Sequence, residues 1–151
     1  MKINFDVAIR QEGSYIAVSC RDSSSFLCTA YMERIQAVDP FMGETMAAVR
    51  AVELALEKRW THVLFESDSM LLCDDLASEL PPCWKVEAMI SSLQQSFKAQ
   101  SAWALHWVPR RLNQQAHLLA QWAAHLKISG FMDSSCIPLS ILSCDLNAMF
   151  G

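Results

Sequence analysis

No apolar run in this 151-residue chain approaches the roughly 20 residues needed to cross a bilayer, so no membrane-embedded function is expected. The six cysteines, Cys20, Cys28, Cys73, Cys83, Cys136 and Cys144, contain no C-x-x-C pair, and no histidine stands at zinc-finger spacing. A structural zinc module is thereby excluded. Most of these cysteines lie within apolar segments, where buried, reduced thiols of an intracellular protein are expected. Basic excess is missing too: 12 Lys and Arg against 16 Asp and Glu leave a net charge of −4. A nucleic-acid binder working by electrostatics alone would be basic, so any such contact here must be local or carried by metal ions. There are no internal repeats and no interdomain linker. Met1 to Phe5 enters a strand pattern at once, so no signal or transit peptide is expected.

What the chain does have is apolar content, 52% of its residues, and the length for one domain with a proper core. Residues 2–9 alternate, with Ile3, Phe5 and Val7 opposed to Asn4, Asp6 and Ala8, which predicts a strand. Two more strands follow, over 15–20 and 26–33, separated by the polar turns Gln11-Glu12-Gly13-Ser14 and Arg21-Asp22-Ser23-Ser24-Ser25. Three strands on short turns predict an antiparallel meander. A helix is expected over about 43–59, with Ala47, Ala48, Ala51, Val52 and Ala55 forming a smooth face that can lie close to a sheet. The apolar run 62–66 predicts a fourth strand, and 69–78 and 86–98 predict two helices separated by Pro81-Pro82. Trp103, Leu105 and Trp107 alternate in a fifth strand over 102–108, and Asn113 opens a final helix to about Leu126. The order βββ-α-β-α-α-β-α implies a mixed sheet with helices on both faces.

Val63-Leu64-Phe65-Glu66-Ser67-Asp68-Ser69 organises the rest. A buried strand ends there in two acids, at the edge where α/β sheets keep their chemistry. The simpler reading is that Asp68 or Ser69 caps the following helix. Three other residues weigh against it: Asp6 in the first strand, Glu44 in the first turn of the first helix and His117 on the last helix. If the first and fourth strands are neighbours, Asp6 and Asp68 sit side by side. Three carboxylates held together repel one another unless a cation lies between them, and oxygen ligands favour Mg²⁺ or Mn²⁺. Two such ions about 3.5–4 Å apart suit in-line displacement at a phosphodiester.

Asn4-Phe5-Asp6, Gly43-Glu44-Thr45-Met46-Ala47-Ala48, Glu66-Ser67-Asp68-Ser69 and the stretch from Val108-Pro109-Arg110-Arg111-Leu112-Asn113 to His117 and Ala120 occur in that order. Together, over roughly residues 2–127, they resemble the plant ribonuclease H-like domains related to the ribonuclease H region of retroelement reverse transcriptases. The resemblance implies an α/β ribonuclease H-like fold with a five-stranded mixed sheet in spatial order 3-2-1-4-5. It also implies a two-metal hydrolysis of the RNA strand of RNA/DNA hybrids, with Mg²⁺ or Mn²⁺ as cofactor. On it, Asp6, Glu44 and Asp68 match three metal-binding catalytic acids and His117 takes the place of a fourth. Arg110, Arg111 and Asn113 are the candidate substrate contacts, although Asn113 also reads as a helix cap.

The chain departs from the family pattern at three points. Val7 follows the first aspartate where glycine is frequent. His117 stands where many active enzymes carry aspartate, although histidine is frequent in the plant branch. The region 71–100 has only Lys85 and Lys98 where bacterial-type enzymes can carry a basic handle. Two alternatives therefore accompany the nuclease reading. One is a catalytically weak or inactive nucleic-acid-binding or interaction module on the same fold. The other is a 3′–5′ exonuclease of the related fold, which expects Asp-x-Glu in the first strand, where this chain has Asp6-Val7-Ala8. The domain is expected to span 1–127, with 128–151 as a partly ordered tail. His62, His106 and His125 are expected to be structural or exposed, and the tryptophans to serve packing.

Overall fold

The computed structural model describes residues 1–37 and 39–144. Its sheet contains β1 (Lys2–Ala8), β2 (Ser14–Arg21), β3 (Leu27–Ile35), β4 (Val63–Ser67), β5 (Trp103–Trp107) and β6 (Gly130–Met132). The spatial order is β5-β4-β1-β2-β3-β6. β1 pairs antiparallel with β2 and parallel with β4, β2 pairs antiparallel with β3, and β4 pairs parallel with β5. The expected 3-2-1-4-5 order is present.

The strand count differs from the expected five. β6 adds a sixth strand antiparallel to β3, with Tyr31 opposite Phe131. Three residues are too few for an alternation to register in sequence. The chain is turned into place by left-handed backbone at Lys127 (φ 57°) and by Gly130 (φ 108°).

The helices are α1 (Pro40–Glu57), α2 (Met70–Ala77), α3 (Glu87–Ala99), α4 (Gln114–Leu126) and the single turn α5 (Leu139–Leu142). α1 begins three residues before the expected Gly43. Asp39 accepts a hydrogen bond from the Phe41 amide at 2.8 Å, and Pro40, with no amide hydrogen to satisfy, occupies the first position.

Two apolar layers flank the sheet. On one face Ile3, Phe5, Ile16, Val18 and Phe65 pack against Ala47, Ala48 and Ala51 of α1 and Ile90 and Leu93 of α3. The small alanines let α1 sit close to the strands, as its sequence predicts. On the other face Ala8, Ala17, Ala30 and Met32 meet Leu119, Ala120 and Ala123 of α4. Phe65, Phe97 and Trp103 close the β4–β5 end through edge-to-face contacts at 5.2–6.2 Å. Among the described residues no helix is long and apolar enough to cross a membrane.

The cysteines correct one expectation. Only Cys20 is buried; Cys28, Cys83 and Cys136 are exposed and Cys73 and Cys144 half-buried. Burial pushes the Cys20 thiol up to about 12. Apolar neighbours in sequence do not secure burial where the segment lies on a rim: Cys28 is an outward-facing residue near the start of β3, and Cys83 lies in the loop between α2 and α3. His62, His106 and His125 are exposed, as expected.

Candidate active site

Strand register brings the first two acids together. Asn4 stands opposite Glu66 across the parallel β1–β4 pair, and Asp6 and Asp68 each follow two residues later. The backbone leaving β4 is fixed by side chains other than Asp68. The Ser67 hydroxyl accepts from the Ser69 amide at 3.1 Å, the Ser69 hydroxyl accepts from the Leu72 amide at 3.3 Å, and the Trp107 indole donates to the Asp68 carbonyl at 3.2 Å. Ser69 therefore caps α2. The Asp68 carboxylate is left for the cavity, which removes the capping explanation for it.

Glu44 arrives from the other direction, and Gly43 explains how it comes so close. A Cβ at Gly43 would fall 2.9 Å from Val7 Cγ2 and 3.1 Å from Ile9 Cδ1. The absent side chain lets the first turn of α1 rest against the end of β1, and Val7 fills the space. Glu44, the next residue, is thereby set beside Asp6. One carboxylate oxygen from each of Asp6, Glu44 and Asp68 lies within 4.8 Å of the other two.

These groups are poorly compensated. Asp6 is 1% and Glu44 8% exposed, and Asp6 Oδ1 and Glu44 Oε2 are buried without a hydrogen-bond partner. Burial, then a hydrogen bond shared with Asp6 and the charges of Asp6 and Asp68, push Glu44 well above the ordinary carboxylate range. Asp68 is raised as well, by burial first and Asp6 second, against the opposing pull of Arg110 and His117. Buried oxygens that lack donors, in an all-oxygen set of three, are the environment a hard divalent cation would satisfy.

His117 lies one turn into α4, where its Nδ1 is 2.9 Å from Asp6 Oδ2 and 3.2 Å from Arg110 Nη1. Guanidinium only donates, so Nδ1 cannot serve both partners at once: it carries a proton toward Asp6 or a lone pair toward Arg110. Arg110, in the turn before α4, also donates from Nε to Asp68 Oδ2 at 2.7 Å. It spans Asp68 and His117, with much of its own side chain in solvent. Arg111 is exposed nearby.

The Asn113 side chain is turned into the protein. It is 1% exposed and makes no side-chain cap to α4. Its amide donates to the Phe5 carbonyl at 3.0 Å, and its oxygen accepts from the Asn4 amide at 3.0 Å. Asn4 in turn donates to Glu66 at 3.1 Å and accepts from Arg21 at 2.9 Å. This buried chain ties the start of α4 to β1 within two residues of Asp6. Sequence reading did not identify it. The available signal was two polar residues, Asn4 and Glu66, at inward positions of otherwise apolar strands.

Residues 4–123 match the family described as reverse transcriptase-like. No curated protein matches the chain in sequence. Among solved structures, RNase H1 from the halophilic archaeon Halobacterium salinarum superposes with a TM-score of 0.70 at 19% identity, covering 82% of this chain and 96% of that one. LC11-RNase H1, isolated from compost and solved in complex with an RNA/DNA hybrid, gives 0.71 at 17% identity, covering 85% and 99%. The RNase H domain of prototype foamy virus gives 0.63 at 15% identity, covering 83% and 94%. The fold is ribonuclease H-like.

Proposed function

Because this chain belongs to the reverse transcriptase-like family and has a ribonuclease H-like fold, we propose that it is a metal-dependent endonuclease that hydrolyses the RNA strand of RNA/DNA hybrids. The observation that carries the reading is the convergence of Asp6, Glu44 and Asp68 with two buried oxygens that no protein donor satisfies. Structures similar to this one include an RNase H1 bound to such a hybrid.

In this reading Asp6, Glu44 and Asp68 would hold two divalent ions, Mg²⁺ or Mn²⁺, with His117 as a fourth ligand. Bound there, such ions stabilise developing charge on the phosphate and lower the pKa of the attacking water. The chain supplies the rest. Asp6 engages His117 Nδ1, so Nε2 is the nitrogen left for a cation or a proton. Arg110 neutralises Asp68 from the solvent side and, being largely exposed, can turn to a substrate phosphate, with Arg111 beside it. Asn113 acts as a positioning residue, holding α4 and hence His117 against β1.

The resemblance of the four motifs, with histidine in the fourth place, supports assignment to the plant branch. We take the ribonuclease H-like domain as residues 1–127, with β6 added to its sheet and Ile137 and Ile141 to the core on the α4 face. Six cysteines without a disulfide accord with an intracellular, reducing compartment.

The deciding experiment is cleavage of a labelled RNA/DNA hybrid by the chain and by its Asp6→Asn variant, with Mg²⁺ and Mn²⁺ in parallel. Cleavage by the parent alone supports the reading; none with either metal refutes it. One observation favours a non-catalytic nucleic-acid-binding module instead: the fourth position is a histidine, not a carboxylate, and its Nδ1 already faces Asp6 and Arg110. Hybrid binding without cleavage is the outcome that reading expects.

A further inference from the structure

Away from the acidic cavity, a cleft of about 740 Å³ opens between the β1–β2 turn, the end of β3 and the last turns of α4. Its charged bases are Arg10, Arg34 and Lys127, His125 lines it beside them, and Glu12 is the one carboxylate lining it. In a chain with 16 acids and 12 bases this is a local reversal of sign. Arg34 lies across the turn, its Nη2 donating to the Glu12 carbonyl at 2.6 Å. A Cβ at Gly13 would collide with Arg34 Nε and reach 2.8 Å from Nη2, and Gly13 itself has φ 142°. The glycine is therefore what lets the guanidinium rest there. Arg10 donates to the Ile9 carbonyl at 2.9 Å. Each arginine donates to one backbone carbonyl, and among the described residues no carboxylate forms an ion pair with Arg10, Arg34 or Lys127. Planar guanidinium donors held without a carboxylate are suited to a phosphate.

The position relative to the cavity gives this meaning. His117, Gln121 and His125 recur every four residues and share one side of α4. At roughly 1.5 Å per residue, His125 lies about 12 Å along the helix from His117. For a duplex strand laid along α4, with phosphates about 3.4 Å apart along its axis, that span is roughly three or four nucleotides. We propose that the Arg10–Arg34–His125–Lys127 cleft is a second phosphate site, gripping the nucleic-acid backbone three or four nucleotides from the acidic cavity. The proposal rests on the nucleic-acid reading of that cavity and adds where the bound strand runs.

Two measurements on the full chain test it. The first is titration with inorganic phosphate followed by amide NMR. Gly13, His125 and Lys127 should shift in the parent and not in Arg34→Gln. The second is metal-free binding of a labelled RNA/DNA hybrid across a salt series. The double variant Arg34→Gln/Lys127→Gln should bind roughly 3–10-fold more weakly, with the salt slope reduced by about 1–2. Arg34→Lys should recover part of the loss, and thermal melting of each variant checks that the fold persists. A hybrid too short to reach from cavity to cleft should be bound equally by parent and double variant. An unchanged affinity and slope on the long hybrid overturns the second site while leaving the proposed nuclease intact. Phosphate shifts at the cleft, with no hybrid bound or cleaved by the parent in Mg²⁺ or Mn²⁺, overturn the nucleic-acid reading and the strand path together.

Discussion

His117 Nδ1 sits 2.9 Å from Asp6 Oδ2, joining residues 111 positions apart in the chain. The pair makes the imidazole part of the acidic cavity. A nitrogen ligand there suits Mn²⁺ better than Mg²⁺, so Mn²⁺ should support more activity. In His117→Asp the preference should move toward Mg²⁺. Removing the ligand altogether in His117→Ala should cost roughly 10–100-fold in rate. Cleavage rate with each metal, for parent and both variants, is the measurement. An unchanged metal preference in His117→Asp would reduce His117 to a helix-surface residue.

Asp6→Asn and Asp68→Asn should each abolish metal-dependent cleavage while leaving the fold intact. Full activity in both variants would rule out the carboxylate site. Adding Mg²⁺ or Mn²⁺ should raise the melting temperature of the parent, because a ligand bound only by the folded state stabilises it, and EDTA should reverse the rise. Neither variant should show more than a fraction of that shift.

Stability without metal should depend on pH in a direction set by Glu44 and Asp68. Both are raised above their ordinary values in the folded chain. A raised carboxyl binds its proton more tightly folded than unfolded. Its stabilising contribution is complete below the unfolded value, near 4, and is lost as pH rises through the raised folded value. Glu44→Gln should therefore melt higher than the parent at neutral pH without metal, by roughly 2–4 °C for each kcal/mol relieved. The difference should close toward pH 4. Melting curves from pH 4 to 8 in EDTA measure it, and a gap that does not narrow with acid would contradict the assignment.

Gly43→Ala tests the close approach of α1 to β1. The new methyl meets Val7 and Ile9. Overpacking of this kind costs roughly 1–3 kcal/mol, and the strain would draw Glu44 away from Asp6. The variant should lose rate and metal affinity together. Gly43→Ala combined with Val7→Ala should recover both, which a purely helical effect of alanine would not predict.

Asn113→Ala should destabilise by roughly 1–3 kcal/mol, since the Asn4 amide and the Phe5 carbonyl lose a buried partner. Chemical denaturation reads that cost. A residue that met substrate would instead raise KM with little change in stability.

The sheet was legible in sequence because its strands alternate or run apolar between clear turns, and because Asp6 and Asp68 needed only adjacent strands to meet. Glu44 was legible as an acid near the start of a helix, although α1 begins at Pro40 and puts it one turn further in than expected, and the reason for its closeness to Asp6 was not legible. That reason is a steric match between Gly43 and Val7, and Val7 read in isolation looked only like a departure from pattern. Asn113 was legible only as a helix start. Its partners, Asn4 and the Phe5 carbonyl, are more than a hundred residues away and leave no local periodicity. Arg110 was legible as a basic loop residue, while its hold on both Asp68 and His117 depends on how a short turn orients the guanidinium.

β6 carries a consequence for the handling of the protein. β3 is nine residues long, and without a neighbour its outer side would offer an open row of amides and carbonyls, the template on which a second molecule can add a strand. Gly130, Phe131 and Met132 cover its middle, and the Phe131 ring sits 4.9 Å from Tyr31 with Lys58 above it at 5.8 Å. A chain trimmed after Ser129 would keep every residue of the acidic cavity yet expose that row beside an uncovered tyrosine. Such a chain would also lose Ile137 and Ile141 from the core on the α4 face, and it should self-associate at concentrations where the whole one stays dispersed.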